Sequence, residues 1–368
     1  MTGLIYRMFG VRRIVRVQPG FCTLAAWCRV PGVVLEQDMQ TYYDMNIEPA
    51  SILGRRVSVM GFGAQGRAHA LNLRDSGVDV VVGLRTDSPS RGICKELGLA
   101  VQTPSKAAAS SDVVVMLVPD QIQPALYRET LADSMTEGSA MVFAHGYSIH
   151  FRHIEPRQDL DVLMVAPLGI GDQVRALYEA GRGVPALLAL HQDASGAARD
   201  LGLGYAWANG HGRAGIFETS FSDETETDLF AEQAVLCGGL THLISAAYDT
   251  LVDAGYPAEL AYFGCLHEVK LIADLVHQRG ISGMRKSISS TAEFGDYSRG
   301  PRIINQESRR AMREILDEVR DGRFDRELSA EAETGFPAIR AGRKAAQTHS
   351  IELVGKRLRA MMPWLSES

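Results

Sequence analysis

The apolar run Val57-Ser-Val-Met60 passes directly into Gly61-Phe-Gly-Ala-Gln-Gly66, and this junction constrains the fold more than any other stretch of the chain. A short apolar run of this kind reads as a buried strand. Arg67 to Ser76 then reads as a helix with Ala68, Leu71 and Leu73 on its buried side, and Val78 to Leu84 as a second, Val-rich strand. Strand, GxGxxG, helix and strand in that order favours dinucleotide binding over a purely structural glycine turn. Gly61 permits the tight turn, Gly63 lets the backbone approach a pyrophosphate, and Gly66 allows the helix to pack closely on the strand. The helix N-terminus offers free N–H groups and partial positive charge to the phosphates.

The end of the second strand selects between cofactors. A unit that binds NAD usually carries Asp or Glu there to hold the ribose hydroxyls. This chain has Arg85, followed by Thr86, Asp87, Ser88, Ser90 and Arg91. Arg and Ser suit a phosphate on the ribose through charge-assisted hydrogen bonds. Asp87 is the dissonant residue, because its charge repels a phosphate. The balance favours NADPH over NADH.

Further apolar runs alternate with helical stretches. Val113 to Val118 ends at Pro119-Asp120-Gln121, Met141 to Ala144 at His145-Gly146, Val162 to Ala166 at Pro167, and Val184 to Leu190 at His191-Gln192-Asp193. The pattern predicts an α/β fold with a parallel sheet covered on both faces. Ligands of such sheets bind beyond the carboxyl ends of the strands, which puts Pro119, His145 and Leu168 where a substrate could lie against a nicotinamide. A His at a strand end is equally well a loop residue bonded to backbone, and position alone does not decide.

From about residue 223 the strand pattern gives way to an acidic, helical half. Asp228 and Glu232 are spaced i, i+4, so one helix face carries both carboxylates. A divalent cation offsets such repulsion. A solvated acidic face is the other reading, given Asp223, Glu224 and Glu226 nearby. Ala261 to Ile272 reads as another helix, containing His267 and Glu268. Ser287-Ile-Ser-Ser-Thr291 precedes Ala-Glu-Phe-Gly-Asp296, where Ser and Thr commonly cap or turn. Residues 306–333 read as a charged amphipathic helical stretch with a structural role.

Composition closes off other classes. With 44 acidic against 38 basic residues and a formal charge of -6, the chain lacks the basic excess of a general nucleic-acid binder. Five Cys without a CxxC pair form neither a disulfide scaffold nor a structural zinc site. No uncharged apolar run is long enough to span a bilayer, so no membrane span is expected and the expected location is cytoplasmic. Residues 1–38 stand apart: Arg7, Arg12, Arg13, Arg16 and Arg29 occur with no acidic residue before Glu36. They read as an extension outside the fold, disordered or not native.

These segments together resemble ketol-acid reductoisomerase in its short bacterial form. The likeness runs from Thr41-Tyr-Tyr-Asp44 to Met361-Met-Pro-Trp364. It is carried by Gly61 to Asn72, Leu117-Val-Pro-Asp-Gln121, Phe143-Ala-His-Gly146, Gln192-Asp-Ala-Ser-Gly196 and Arg213-Ala-Gly-Ile216, and most specifically by Glu224 to Gly239 and Ser287 to Asp296. The resemblance implies a Rossmann domain over 39–220 and a knotted all-α domain over 221–368 for metal, substrate and dimerisation. It also implies NADPH, two magnesium ions and an active site built between two subunits, so a homodimer or higher homo-oligomer. Family members move an alkyl group within a 2-hydroxy-2-acyl acid and then reduce the new ketone. Carried over by motif, Asp228, Glu232 and Glu268 resemble metal ligands, Ser289 the substrate-carboxylate contact with Ser287 beside it, and His145 the active-site His. The expected cofactor contacts are Gly61, Phe62, Gly63, Ala64, Gln65 and Gly66, then Arg85, Ser88 and Ser90, then Pro119, Asp120 and Gln121, with His145 and Gly171.

Two departures fall where the chemistry should be. The family reads Ala-Pro-Lys-Gly-Pro-Gly-His where this chain reads Ala166-Pro-Leu-Gly-Ile-Gly-Asp172, so Leu168 replaces an active-site Lys. The family reads Tyr-Phe-Glu-Cys-Leu-His-Glu where this chain reads Tyr262-Phe-Gly-Cys-Leu-His-Glu268, so Gly264 replaces a metal ligand and puts the second magnesium site in doubt. The expectation is an NADPH-dependent reductase of a 2-keto acid or related imine with the alkyl migration lost or weakened. The alternatives are a genuine ketol-acid reductoisomerase of branched-chain amino-acid biosynthesis and a non-catalytic NADPH-binding protein.

Overall fold

A computed structural model describes residues 39–366, so the reading of residues 1–38 falls outside the described residues. The strands are β1 (Thr41–Tyr42), β2 (Arg56–Met60), β3 (Asp79–Gly83), β4 (Ala100–Gln102), β5 (Val113–Met116), β6 (Ala140–Phe143), β7 (Asp161–Pro167), β8 (Ala186–Gln192) and β9 (Ile216–Glu218). They form one sheet in the order β1-β9-β8-β7-β6-β5-β2-β3-β4. The stretch from β4 to β7 is parallel and reverses its strand order between β2 and β5, which marks the binding crevice of a doubly wound sheet.

Side chains alternate across the sheet as the pleat requires. Val57, Val59, Val113 and Val115 point to one face, where Leu71 and Leu73 of the Ala64–Asp75 helix and Tyr205 of the Ala198–Ala208 helix cover them. Met60, Val114, Met116, Met141 and Phe143 point to the other, against Tyr127, Leu131, Ile149 and Phe221. Both faces are dry, which is why these strands read as unbroken apolar runs.

Two sequence expectations need correction. The helix after the glycines begins at Ala64 rather than Arg67, with Gly63 as its N-cap, so the end of the motif is the helix's first turn. The sheet is not wholly parallel: β7 and β8 run antiparallel, as do β1 and β9. Pro167 at the end of β7 pairs with Ala186 at the start of β8, so the Gly171–Glu179 helix returns the chain to the end it left. Strand direction leaves no trace in an apolar run.

After β9 the chain is helical. Phe221–Asp253 forms a continuous helical run, broken in pitch by a π turn over Glu232–Leu236. By length and composition alone it could cross a membrane, a possibility the uncharged-run criterion missed. Ala258–Tyr262, a second π turn over Phe263–His267, and Val269–Arg285 make the next long helix, which kinks at Gly280. Residues 306–333 are two helices, Gln306–Arg320 and Arg323–Glu333, separated where Gly322 takes a φ of 72°. Leu229 and Val319 pack with Tyr147, joining the helical part to the sheet beside β6.

Candidate active site

The glycine loop is built as its spacing requires. Gly61 has a φ of 100°, and a Cβ there would lie 2.6 Å from the Leu117 carbonyl oxygen at the end of β5. A Cβ at Gly66 would lie 2.6 Å from the Gly61 carbonyl oxygen, so the helix can start this close to the strand only with glycine. A Cβ at Gly63 would meet nothing within 4 Å. That open backbone at a helix N-terminus fits a pyrophosphate. Arg85 and Ser88 lie in the loop after β3, where Arg85 and Asp87 form an exposed ion pair at 3.7 Å, and Ser90 opens the Ser90–Glu96 helix that follows. Arg91 is tied to backbone instead, donating to the Leu84 carbonyl at 2.8 Å and the Gln102 carbonyl at 3.3 Å.

A cavity of about 990 Å³ opens beyond the carboxyl ends of β2, β5, β6 and β7. Gly61 to Gln65, Pro119, Asp120, His145 and Leu168 line it, with Glu224, Thr227 and Asp228 from the helical run closing the opposite side. Leu168, Ile170 and Leu236 supply its apolar surface. The Gln65 side chain is fixed across it, donating from Nε2 to the Gly169 carbonyl at 2.8 Å.

His145 is the organised centre of this wall. Its Nδ1 is 2.9 Å from Glu224 Oε1 and 3.6 Å from Asp228 Oδ2. Burial works against a charged ring here, but the Glu224 hydrogen bond and the charges of Glu224, Asp120 and Asp228 outweigh it and push the pKa up to about 9. Glu224 is buried and also accepts the Gly146 N–H at 2.8 Å. The Tyr147 ring lies nearly parallel to His145 and is held by a hydrogen bond from its hydroxyl to Asp325 at 2.6 Å. Desolvation by burial raises the pKa of Asp228, Glu232 and Asp120, and the neighbouring carboxylates add to it.

His145, Glu224 and Asp228 each place a ligand atom within 4.8 Å of the others. The 2.9 Å contact is a hydrogen bond with no space for an ion, so His145 acts here as an ion-paired ring. Asp228 and Glu232 are a better fit to a hard cation, being carboxylates on successive turns with Asp228 half exposed to the cavity.

Several expected residues sit elsewhere. Gly171 does not line the cavity; it is buried, and a Cβ there would collide with the Ala64 backbone. Gln121 lines a smaller neighbouring cavity. Glu268, Ser287 and Ser289 are exposed and lie outside the cavity of a single chain. Ser289 caps the Ser290–Ile303 helix by accepting from Ala292 N–H at 3.2 Å, and Ser287 is held by Gly283 and Arg279. Gly264 lies in the second π turn, exposed, with nothing within 4 Å of the position a Cβ would take.

Glu224 is the residue that sequence reading passed over as part of a solvated acidic run. Its signal was present: 224, 228 and 232 continue the i, i+4 series one turn back.

A doubly wound sheet with this glycine loop and a cavity at its switch point defines a nicotinamide-dinucleotide oxidoreductase. The chain belongs to the ketol-acid reductoisomerase family. Residues 51–215 match the model "Acetohydroxy acid isomeroreductase, NADPH-binding domain", and residues 221–364 match "Ketol-acid reductoisomerase, C-terminal domain". An NADH-preferring ketol-acid reductoisomerase from an uncultured archaeon is 42% identical with a TM-score of 0.85, covering 88% of this chain and 99% of that one. A semialdehyde dehydrogenase NAD-binding protein from Cupriavidus necator, in complex with calcium and NAD, is 20% identical with a TM-score of 0.57, covering 73% of this chain and 99% of that one. The second likeness concerns the fold alone.

Proposed function

We propose that this protein is an NADPH-dependent reductase of a 2-keto acid in which the alkyl migration of its family is lost or weakened. The observation that carries the reading is Leu168: a side chain 54% exposed stands in the cavity wall at the position of the family's Lys. An apolar residue there can neither donate a proton nor stabilise a developing oxyanion. Gly264, where the family has a carboxylate, removes a hard oxygen ligand from one cation site.

The equipment for reduction is present. Arg85, Ser88 and Ser90 would hold the phosphate that distinguishes NADPH, and Gly61 to Gly66 the pyrophosphate. When bound, NADPH supplies hydride, and magnesium at Asp228 and Glu232 supplies Lewis-acid polarisation. His145, held by Glu224, presents a proton donor to the cavity. Leu168, Ile170 and Leu236 exclude water around an alkyl substituent.

The site is completed by a second copy in this reading. Glu268 and Ser289 lie outside the single-chain cavity, and the helical half exposes Leu243, Leu271, Ile281, Phe294, Tyr297 and Ile303. Apolar exposure on this scale marks an interface. A homodimer whose partner brings Glu268 and Ser289 to this cavity accounts for both facts.

The test is NADPH oxidation with acetolactate and, separately, with the already isomerised hydroxy-keto acid, each with and without magnesium. Turnover of the isomerised acid alone is expected. Turnover of acetolactate at a comparable rate overturns the reading in favour of a genuine reductoisomerase, which the match to both family domains supports. NADPH binding without oxidation of either points to a non-catalytic role.

A further inference from the structure

We propose that Asp325 is a positioning residue for the reduction, acting through the Tyr147 hydroxyl on the segment that carries His145. The proposal rests on the reading above in which His145 is the proton donor of the cavity.

The segment after β6 is pinned from two sides. Glu224, on the Phe221–Ala231 helix, accepts from His145 Nδ1 at 2.9 Å and from the Gly146 N–H at 2.8 Å. The next residue, Tyr147, is held by a different element. Its hydroxyl donates to Asp325 Oδ1, on the Arg323–Glu333 helix, at 2.6 Å. The same oxygen lies 2.6 Å from His153 Nε2. An ionised carboxylate only accepts, so the Tyr147 O–H and the His153 Nε2–H both donate to it. Burial and the Asp325 hydrogen bond raise the pKa of Tyr147, so its hydroxyl remains the donor.

Asp325 is buried, and among the described residues no Lys or Arg pairs with it. Its desolvation is offset by the Tyr147 and His153 hydrogen bonds. The Tyr147 ring is nearly parallel to both His145 and His153, with planes 19° and 23° apart and centroids at 6.2 and 5.5 Å. A ring displaced at 147 therefore disturbs the His145 ring beside it and the backbone two residues away.

The two anchoring helices are also fixed to each other. Val319, on the helix before Asp325, packs with Leu229 and Tyr147, and Arg320 Nε donates to Glu226 Oε2 at 2.9 Å. Leu229 directly follows Asp228, so the clamp that holds His145 also sets it against the carboxylate proposed to hold magnesium. Without Asp325, the Tyr147 hydroxyl is left buried beside an empty acceptor position and must turn to find another. A misplaced proton donor slows the chemical step. The glycine loop over Gly61 to Gly66 belongs to another strand connection, so NADPH binding should not change.

The experiment measures NADPH oxidation by the full-length protein with magnesium and the isomerised hydroxy-keto acid, and with acetolactate in parallel. Rates are expressed per NADPH-binding site, which removes any loss from unfolded protein. Asp325→Ala should lower kcat about tenfold with KM for NADPH unchanged. Asp325→Asn keeps an acceptor oxygen and should recover most of that loss. Tyr147→Phe keeps the ring and removes the donor; the double variant Asp325→Ala with Tyr147→Phe should fall no further than Asp325→Ala alone, because both remove one contact. Full activity per site in Asp325→Ala, an Asn variant no better than Ala, or losses that multiply in the double variant overturns the proposal. If the wild-type protein turns over either acid and the variants match it, this inference falls and the reductase reading stands. If the wild-type protein oxidises NADPH with neither acid, the reductase reading falls and this inference with it.

Discussion

Nδ1 of His145 and Oε1 of Glu224 are 2.9 Å apart, and the other oxygen of the same carboxylate accepts the backbone N–H of Gly146 at 2.8 Å. One buried side chain thus fixes both the ring and the peptide that follows it. Glu224→Ala leaves the ring and the Gly146 N–H without their acceptor, a loss of about 1–3 kcal/mol for each buried group. Turnover should fall about tenfold or more, while Glu224→Gln, which keeps one acceptor oxygen, falls less. Urea unfolding and steady-state kinetics on the two variants check this. Unchanged turnover in Glu224→Ala would mean that His145 does not depend on this contact.

The nucleotide half was legible because its signals are local. Val57 to Met60, the glycines and the helix are adjacent in sequence, and both faces of the sheet are dry, so periodicity and apolar runs sufficed. The short strands β1, β4 and β9 were missed because two or three residues carry no period. Glu224 was missed for a different reason. An acid buried by tertiary packing reads the same as its exposed neighbour Asp223, and only its burial against His145 separates them. The π turns over Glu232–Leu236 and Phe263–His267 insert one residue per turn, which a fixed helical period does not anticipate.

Cofactor preference turns on the loop after β3. Arg85 is 81% exposed and its pairing with Asp87 is loose, so its guanidinium is available to a phosphate at little cost. Arg91 is engaged with backbone carbonyls and is not expected to compensate. Arg85→Ala should raise KM for NADPH about tenfold, the size of one charge-assisted hydrogen bond, and leave KM for NADH nearly unchanged. Asp87→Asn should shift preference further toward NADPH by removing the charge that repels its phosphate. Equal effects of Arg85→Ala on both cofactors would show that Arg85 does not contact the phosphate.

His69 and His211 make the nucleotide half acid-sensitive. Both are fully buried with their rings 6.2 Å apart; burial, with mutual repulsion for His69, lowers their pKa values from 6.5 to about 3 and about 4. The unfolded chain binds more protons than the folded one between these values. Stability is therefore fullest above the unfolded value of 6.5 and declines as pH falls toward the folded values. The slope is up to about 1.4 kcal/mol per pH unit for each ring. The urea midpoint should drop between about pH 7 and about pH 5, and less steeply in His211→Gln, which has one titrating ring fewer. A midpoint that stays flat over that range, or an equal slope in the variant, would exclude the pair as the cause.

Restoring the two family residues is the most direct test of the proposed loss of the migration step. Gly264 is exposed with nothing within 4 Å of where a Cβ would sit, and Leu168 is 54% exposed in the cavity wall, so neither Gly264→Glu nor Leu168→Lys meets a steric obstacle. Gly264→Ala alone should stabilise the fold by about 1 kcal/mol, because glycine in a helical run carries excess backbone entropy. That single variant separates a helix effect from a ligand effect. With both family residues in place, a carboxylate near the second cation and an ammonium in the wall return together, and turnover of acetolactate in magnesium should rise from its starting level. The single variants should gain little, since the step needs the cation and the proton donor at once. If the double variant folds, binds NADPH and reduces only the isomerised acid, the migration step depends on residues other than these two.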